Sequence, residues 1–424
     1  MGSPAGVRLS SASRDEKRGL ILSEAVRLFN QQGYFDTRLE DVAQRLDTAK
    51  TSISYHFKSK EVLLAEAYGA NLVFAEQIIA TAAKENSGLD KVTKWLRLYA
   101  EAASEIALGS RAPFATISDL AGLSDADRMA ITSRMEAVAN ELGTFVEQGV
   151  EDGSIAVTSV EATLFFLLNS AHWLATWLGQ IPPSTHGEAV DALVDLILYG
   201  VLSNPDMPHQ SYLGSSAMEN PDFLFDREAR NKVKVDAFLR AGTRHLNRKG
   251  YTSVSLSDVA ADLGVSRGSF YYYIDDKDTL LRGCVDRSLS QIEKAFEQYG
   301  KRGPAGEALF QIAATIYQGH VTDLDPLLRL PMLHALSTTE RRAANARLAR
   351  IRANFDELVA TGMADGSVRQ LEAEAIGEII LGAIHAATPQ RLESFGIRKA
   401  TPGPHSATAT AFFEPLFTGI AARE

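Results

Sequence analysis

Residues 250–277, GYTSVSLSDVAADLGVSRGSFYYYIDDK, bring together side chains that can touch a nucleic acid. Arg267 and Lys277 can reach guanine O6/N7 or a phosphate. The hydroxyls of Ser269, Tyr271 and Tyr272 can bond phosphate oxygens. Gly268 allows the backbone a close approach. A helix must present them. Upstream, Leu256, Val259, Ala260 and Leu263 recur at i, i+3, i+4 and i+7, one face of a first short helix. Gly264 can take the left-handed conformation that ends it, and Ser266 is a good N-cap for a second. Two short helices around a tight turn suit a helix-turn-helix whose second helix lies in the DNA major groove. Tyr271, Tyr272 and Tyr273 cannot all face inward, so at least one is exposed.

The same pattern occurs earlier. Residues 17–64 laid on 234–281 match at 16 of 48 positions without a gap, including Gly33/Gly250, Tyr34/Tyr251, Asp41/Asp258, Leu46/Leu263 and Lys60/Lys277. The chain holds two copies of one unit. Beyond the heads the repeat continues at an offset of 213: Arg134 falls on Arg347, Asp152-Gly153-Ser154 on Asp365-Gly366-Ser367, and His172 on His385. A net difference of four residues must therefore lie between 64 and 123.

A first long helix, then Gly-Tyr, Val-Ala, Gly-Val-Ser-Arg-Gly-Ser-Phe-Tyr and Lys-Asp-x-Leu, together resemble the DNA-binding domain of TetR/AcrR-family transcriptional regulators. The second copy is the closer match. The resemblance implies an all-α fold of two tandem TetR-like units, each a three-helix head plus a helical ligand-binding and pairing body, arranged as a pseudo-dimer. It divides the chain into head 1 (14–60), body 1 (61–203), a linker (204–230), head 2 (231–277) and body 2 (278–424). It places DNA contacts on Thr37, Lys50, Thr51, Ser52, Tyr55, His56 and Lys60, and on Ser255, Arg267, Gly268, Ser269, Tyr271, Tyr272 and Lys277. Lys60 and Lys277 stand at helix starts, whose amides also attract phosphate. Head 1 departs from the pattern: Ser54 stands opposite Tyr271, Thr51 replaces a glycine, and Glu40 and Asp47 add negative charge near the expected DNA face.

In this family the bodies hold a small-molecule pocket. Its candidate walls here are Trp95, Tyr99, Phe114, Phe145, His172, Trp173 and Trp177 in body 1, with Phe310, Tyr317, Met332, Phe355, His385 and also His334 in body 2. Aromatic residues at helical spacing also serve as plain core, and a histidine on an apolar helix also serves as a buried structural residue. Family members pair through their last two helices, whose counterparts are about 159–179 with 187–202 and 373–388 with 405–421.

Net charge is −10 over 424 residues, but 14–60 carry +2 and 231–277 carry +3, leaving −15 on the rest. Two mildly basic modules on an acidic body fit a protein that meets DNA at two places. The single cysteine, Cys284, excludes an internal disulfide framework and fits a reducing cytoplasm. Residues 1–13 read as a disordered polar arm, with no signal peptide. The apolar stretch 164–178 is too short and too polar to span a bilayer. Phosphate loops, HExxH and Gly-x-Ser-x-Gly are missing, so neither an enzyme nor a metal or other cofactor is expected. The expected protein is a cytoplasmic repressor, released from an asymmetric double-stranded operator by a small, mainly apolar effector, with its two copies paired within the chain. The competing readings are a helical small-molecule-binding or scaffold protein whose heads have lost DNA binding, and a helical enzyme.

Overall fold

The computed structural model describes residues 13–116, 119–179, 181–205, 227–321, 324–371, 374–386 and 405–423. Residues 1–12 of the N-terminal arm and most of the expected linker, 206–226, lie outside the described residues. Among these residues there is no strand, only two isolated bridges.

Head 1 comprises α1 (Arg14–Gln32), α2 (Leu39–Arg45) and α3 (Lys50–His56). A capping box starts α1: Ser13 Oγ accepts from the Glu16 amide, and Glu16 accepts from the Ser13 amide at 2.7 Å. Its stripe of Ile21, Ala25, Leu28 and Phe29 is buried. Asp47 closes α2 at φ 48°, where head 2 uses Gly264 at φ 65°. Aspartate tolerates this left-handed placement better than most residues.

Body 1 follows as α4 (Lys60–Ala82), α5 (Gly88–Ala107), α6 (Asp125–Glu151), α7 (Val160–Leu178) and α8 (His186–Tyr199). By length and composition α4 could cross a membrane, at mean hydropathy 1.3 over its window, yet it packs on α1, α5 and α6. Head 2 comprises α9 (Arg227–Ser253, broken at Gly250), α10 (Leu256–Asp262) and α11 (Arg267–Tyr271). Body 2 comprises α12 (Lys277–Tyr299), α13 (Ala305–Val321), α14 (Thr338–Asp365), α15 (Glu374–Ala386) and α16 (His405–Phe417).

The two bodies repeat each other in detail. Asp152 accepts from the Gly88 amide at 2.9 Å, and Asp365 from the Ala305 amide at 2.9 Å. The Asp-Gly-Ser motif thus caps the fifth helix of each unit. Arg134 grips Glu76 and Arg347 grips Glu293, each through two nitrogens. Gly88 and Ala305 still keep the longer offset of the heads, so the four-residue difference falls after the start of α5 and α13.

The last two helices of body 1, α7 and α8, pack on α15 and α16 of body 2. Phe412 lies 5.4 Å from Phe165 and 5.5 Å from Phe166, and stacks on Tyr317 at 4.2 Å. At the edge of this seam the Val201 and Leu202 amides donate to Leu416 and Phe417. Gly200 and Gly419 cross there at φ 73° and 85°, and a Cβ on either would lie 2.4 Å from the other segment's backbone. One buried apolar cluster runs through both units.

Candidate nucleic-acid interface and effector cavity

Each head sets its third helix on a buried anchor, Ile53 in α3 and Phe270 in α11. Ser266 Oγ accepts from the Ser269 amide and fixes the start of α11. Arg267, Gly268 and Ser269 are exposed around it, and Tyr272 is 73% exposed. Tyr271 is half exposed at 42%, whereas Tyr273 turns inward to Asn231. In head 1 Thr51 and Tyr55 are exposed, while Ser52 and His56 are partly covered. Lys50 is exposed but paired with Glu40 at 2.7 Å, so the acid draws on the cation beside the reading face. Burial, with Arg14, Arg18 and Lys17 nearby, holds the His56 imidazole below the usual histidine range.

Four of the expected contacts have work inside the heads. Thr37 is buried, with its hydroxyl donating to the Gly33 carbonyl at 2.8 Å. Ser255 precedes α10, where its carbonyl accepts from the Val259 amide. Lys60 Nζ donates to the carbonyls of Tyr34 at 2.7 Å and Thr37 at 2.8 Å, and burial pushes its ammonium pKa down. Lys277 Nζ donates to the carbonyls of Tyr251 and Thr252 at 3.2 and 2.8 Å. Both lysines tie the turn after the first helix of a head to the start of the fourth.

In body 1, Trp95, Phe145 and Trp177 are buried. Tyr99 and Phe114 form an aromatic group with Phe74, with ring centroids 4.9–6.0 Å apart. The side chains of His172 and Trp173 lie outside the described residues. In body 2 Phe310 meets Phe417 at 5.2 Å, so it and Tyr317 belong to the packing of α13 on α16. Phe355 packs edge-on to Phe296, and Met332 lies against head 1 at Gly33. His385 lines a small apolar cavity with Val285, Ser288, Leu289, Ile292, Leu328, Leu330 and Leu333. Burial, then the charge of Arg352, pushes its imidazole down to about 4. Sequence periodicity had no means of finding Leu328, Leu330 and Leu333, which sit in an irregular stretch before α14.

That stretch also meets the heads. Its short 3-10 turn, Leu330–Ala335, packs on both α1 and α9. Arg329 accompanies it, with Nη1 3.3 Å from Asp119 of body 1 and 3.1 Å from the Asn247 carbonyl of head 2. A wall of the cavity is therefore also a contact between units.

Two exposed third helices on paired helical bodies define a DNA-binding regulator with two heads on one chain. The family model for bacterial regulatory proteins of the tetR family matches residues 21–67 and again 238–284. A tetracyclin repressor-like C-terminal domain matches 90–201 between them. The chain belongs to the tetR family and carries two fused units of it. It is similar to the HTH-type transcriptional regulator RutR of Escherichia coli K12, at 26% identity over 40% of this chain and 78% of RutR. It also resembles EthR of Mycolicibacterium smegmatis, at 30% identity over 19% of this chain and 34% of EthR. Among solved structures, PfmR of Thermus thermophilus matches at 19% identity, over 43% of this chain and 97% of its own, with a TM-score of 0.35. AibR, solved with isovaleryl coenzyme A and operator DNA, matches at 21% identity, over 42% and 97%, with a TM-score of 0.35. The proteins it resembles are transcriptional regulators and not enzymes.

Proposed function

We propose that the chain is a repressor that binds an asymmetric operator as a single-chain pseudo-dimer. The observation that carries this reading is the difference between the two exposed third helices. Lys50, Thr51 and Ser54 stand exposed on one, and Arg267, Gly268 and Tyr271 at the matched positions of the other. Unlike heads read unlike half-sites, so the protein has one orientation on its DNA. The domain limits 14–60, 61–203, 204–230, 231–277 and 278–424 belong to this reading. So do a cytoplasmic location and pairing of the two copies within one chain.

The effector is a small, mainly apolar organic molecule. The apolar lining beside Leu328–Leu333 supports this; at about 20 Å³ the cavity must expand to admit such a molecule, and expansion would press on the turn that touches both heads. A ligand that binds better when the turn has moved would shift the heads away from their DNA spacing.

Selection from a random duplex pool, followed by footprinting, tests the reading. The expected product is two dissimilar half-sites in fixed orientation, bound with a steep salt dependence. A palindromic footprint, or no enrichment at all, would contradict it.

A further inference from the structure

We propose that Asp36 is a positioning residue for DNA recognition, which joins the two heads so that the chain accepts half-sites at one separation. The proposal rests on the DNA-binding reading above.

Asp36 lies in the turn after α1 of head 1, yet its partners are in head 2. Its Oδ2 accepts from the Tyr251 amide at 3.1 Å and its Oδ1 from the Thr252 amide at 2.8 Å. Its side chain is only 3% exposed. A carboxylate buried to this degree needs both donors, because an unpaired buried charge is strongly unfavourable. Charge-assisted bonds to two successive amides also fix direction as well as distance. Gly250 makes the approach possible. It sits at φ +72°, and a Cβ there would lie 3.2 Å from Phe35 Cβ and 3.3 Å from Asp36 Oδ1.

Ser253 occupies the corresponding place in head 2, so the contact is single and not duplicated by a symmetric mate. Body 2 closes it from a third side, with His334 Nε2 3.6 Å from Asp36 Oδ2. The reading residues Thr51, Tyr55, Arg267, Ser269 and Tyr272 stay exposed while the heads are joined. Successive major grooves recur at about 34–36 Å. A joined pair of heads meets one such interval, whereas a loose pair accepts several.

The test uses the full chain with cysteines at Lys58 and Asp275, two exposed matched positions just beyond the third helices; Cys284 is buried and left in place. Spin labels there report the head-to-head distance without DNA. The otherwise wild-type chain should give one narrow distribution. Asp36→Ala should broaden it, and Asp36→Asn, which keeps one acceptor, should fall between. In parallel, duplex selection should give wild type a single separation of half-sites. For Asp36→Ala it should give the same half-sites at several separations, bound at least about tenfold more weakly at the original one. Asp36→Ser, which places the head 2 residue here, supplies the comparison if the alanine variant does not fold. Variants with unbroadened distances and wild-type spacing would overturn the proposal, as would a broad wild-type distribution. A narrow wild-type distribution without any enriched DNA would instead remove the DNA-binding reading and the spacing claim with it.

Discussion

Asn30 and Asn247, matched positions of the two heads, close the seam between head and body with the same pair of hydrogen bonds. Asn30 donates to the Phe114 carbonyl at 2.7 Å and accepts from the Thr116 amide at 2.9 Å. Asn247 donates to the Leu327 carbonyl at 2.9 Å and accepts from the Arg329 amide at 2.9 Å. The matched carbonyls and amides already follow the shorter offset of the bodies, so each asparagine meets the same backbone after the four-residue change. That change is thereby confined to the interval between the start of α5 and Phe114 and its counterpart in body 2.

Replacing either asparagine by alanine leaves a partly buried carbonyl and amide without their partner. Each variant should lose about 1–3 kcal/mol of stability. Asn247→Ala should also loosen Arg329, and so weaken the coupling of body 2 to the heads. Urea midpoints measure the first effect. Limited proteolysis at the 3-10 turn checks the second, with faster cleavage expected in Asn247→Ala than in Asn30→Ala.

Arg267 and Lys277 should separate recognition from architecture. Arg267 is exposed on α11, so Arg267→Ala should cost about 1–3 kcal/mol of specific binding if it reads a base, with an unchanged melting temperature. Lys277 bonds two carbonyls within its own head. Lys277→Ala should therefore lower thermal stability, by about 1 kcal/mol, together with DNA affinity. Melting curves beside gel shifts distinguish the two patterns.

Acid should weaken body 2. Burial pushes the His320 imidazole down to about 3 and that of His385 to about 4, against 6.5 for an ordinary histidine. His320 Nδ1 accepts from the Leu327 amide, which requires an unprotonated nitrogen there. Both rings are neutral when folded, and the unfolded chain takes up protons first as pH falls below 6.5. Their contribution is complete above that pH and declines down to about pH 4 for His385 and about pH 3 for His320, by up to ~1.4 kcal/mol per pH unit for each histidine. His320→Gln should flatten the fall in urea midpoint between pH 7 and 5. An equal slope in the variant would show that other groups set it.

Phe412 holds the seam between the units, buried against Phe165 and Phe166 of body 1. Phe412→Ala should cost about 3–5 kcal/mol. If pairing is within one chain, wild type should scatter light as a single 46.0 kDa species in free solution. A stable species of twice that mass would mean that chains pair with each other.

The short-range physics of the chain already determined its heads, its duplication and its helical bodies. The stripe of Leu256, Val259 and Ala260, the turn residue Gly264 and the cap Ser266 act within a few residues of one another, so their spacing suffices; Ser13, which reads as the end of a disordered arm, instead caps α1. The repeat shows two copies of one unit, and the motifs within the copies carry the resemblance to the tetR family. What Lys60 and Lys277 do with their ammonium groups was decided only in three dimensions. A helix start near a phosphate and a helix start near stranded carbonyls look the same in sequence; the fold brings the Tyr34 and Tyr251 turns to them. Phe310 and Tyr317 have the spacing of a pocket wall, but the approach of α16 makes them packing surfaces. Asp36 and the Tyr251 amide lie in different units of the chain, and a carboxylate in a turn gives no local sign of its acceptor role. Such contacts depend on how whole units pack, and packing sums many weak apolar contacts that no single spacing encodes.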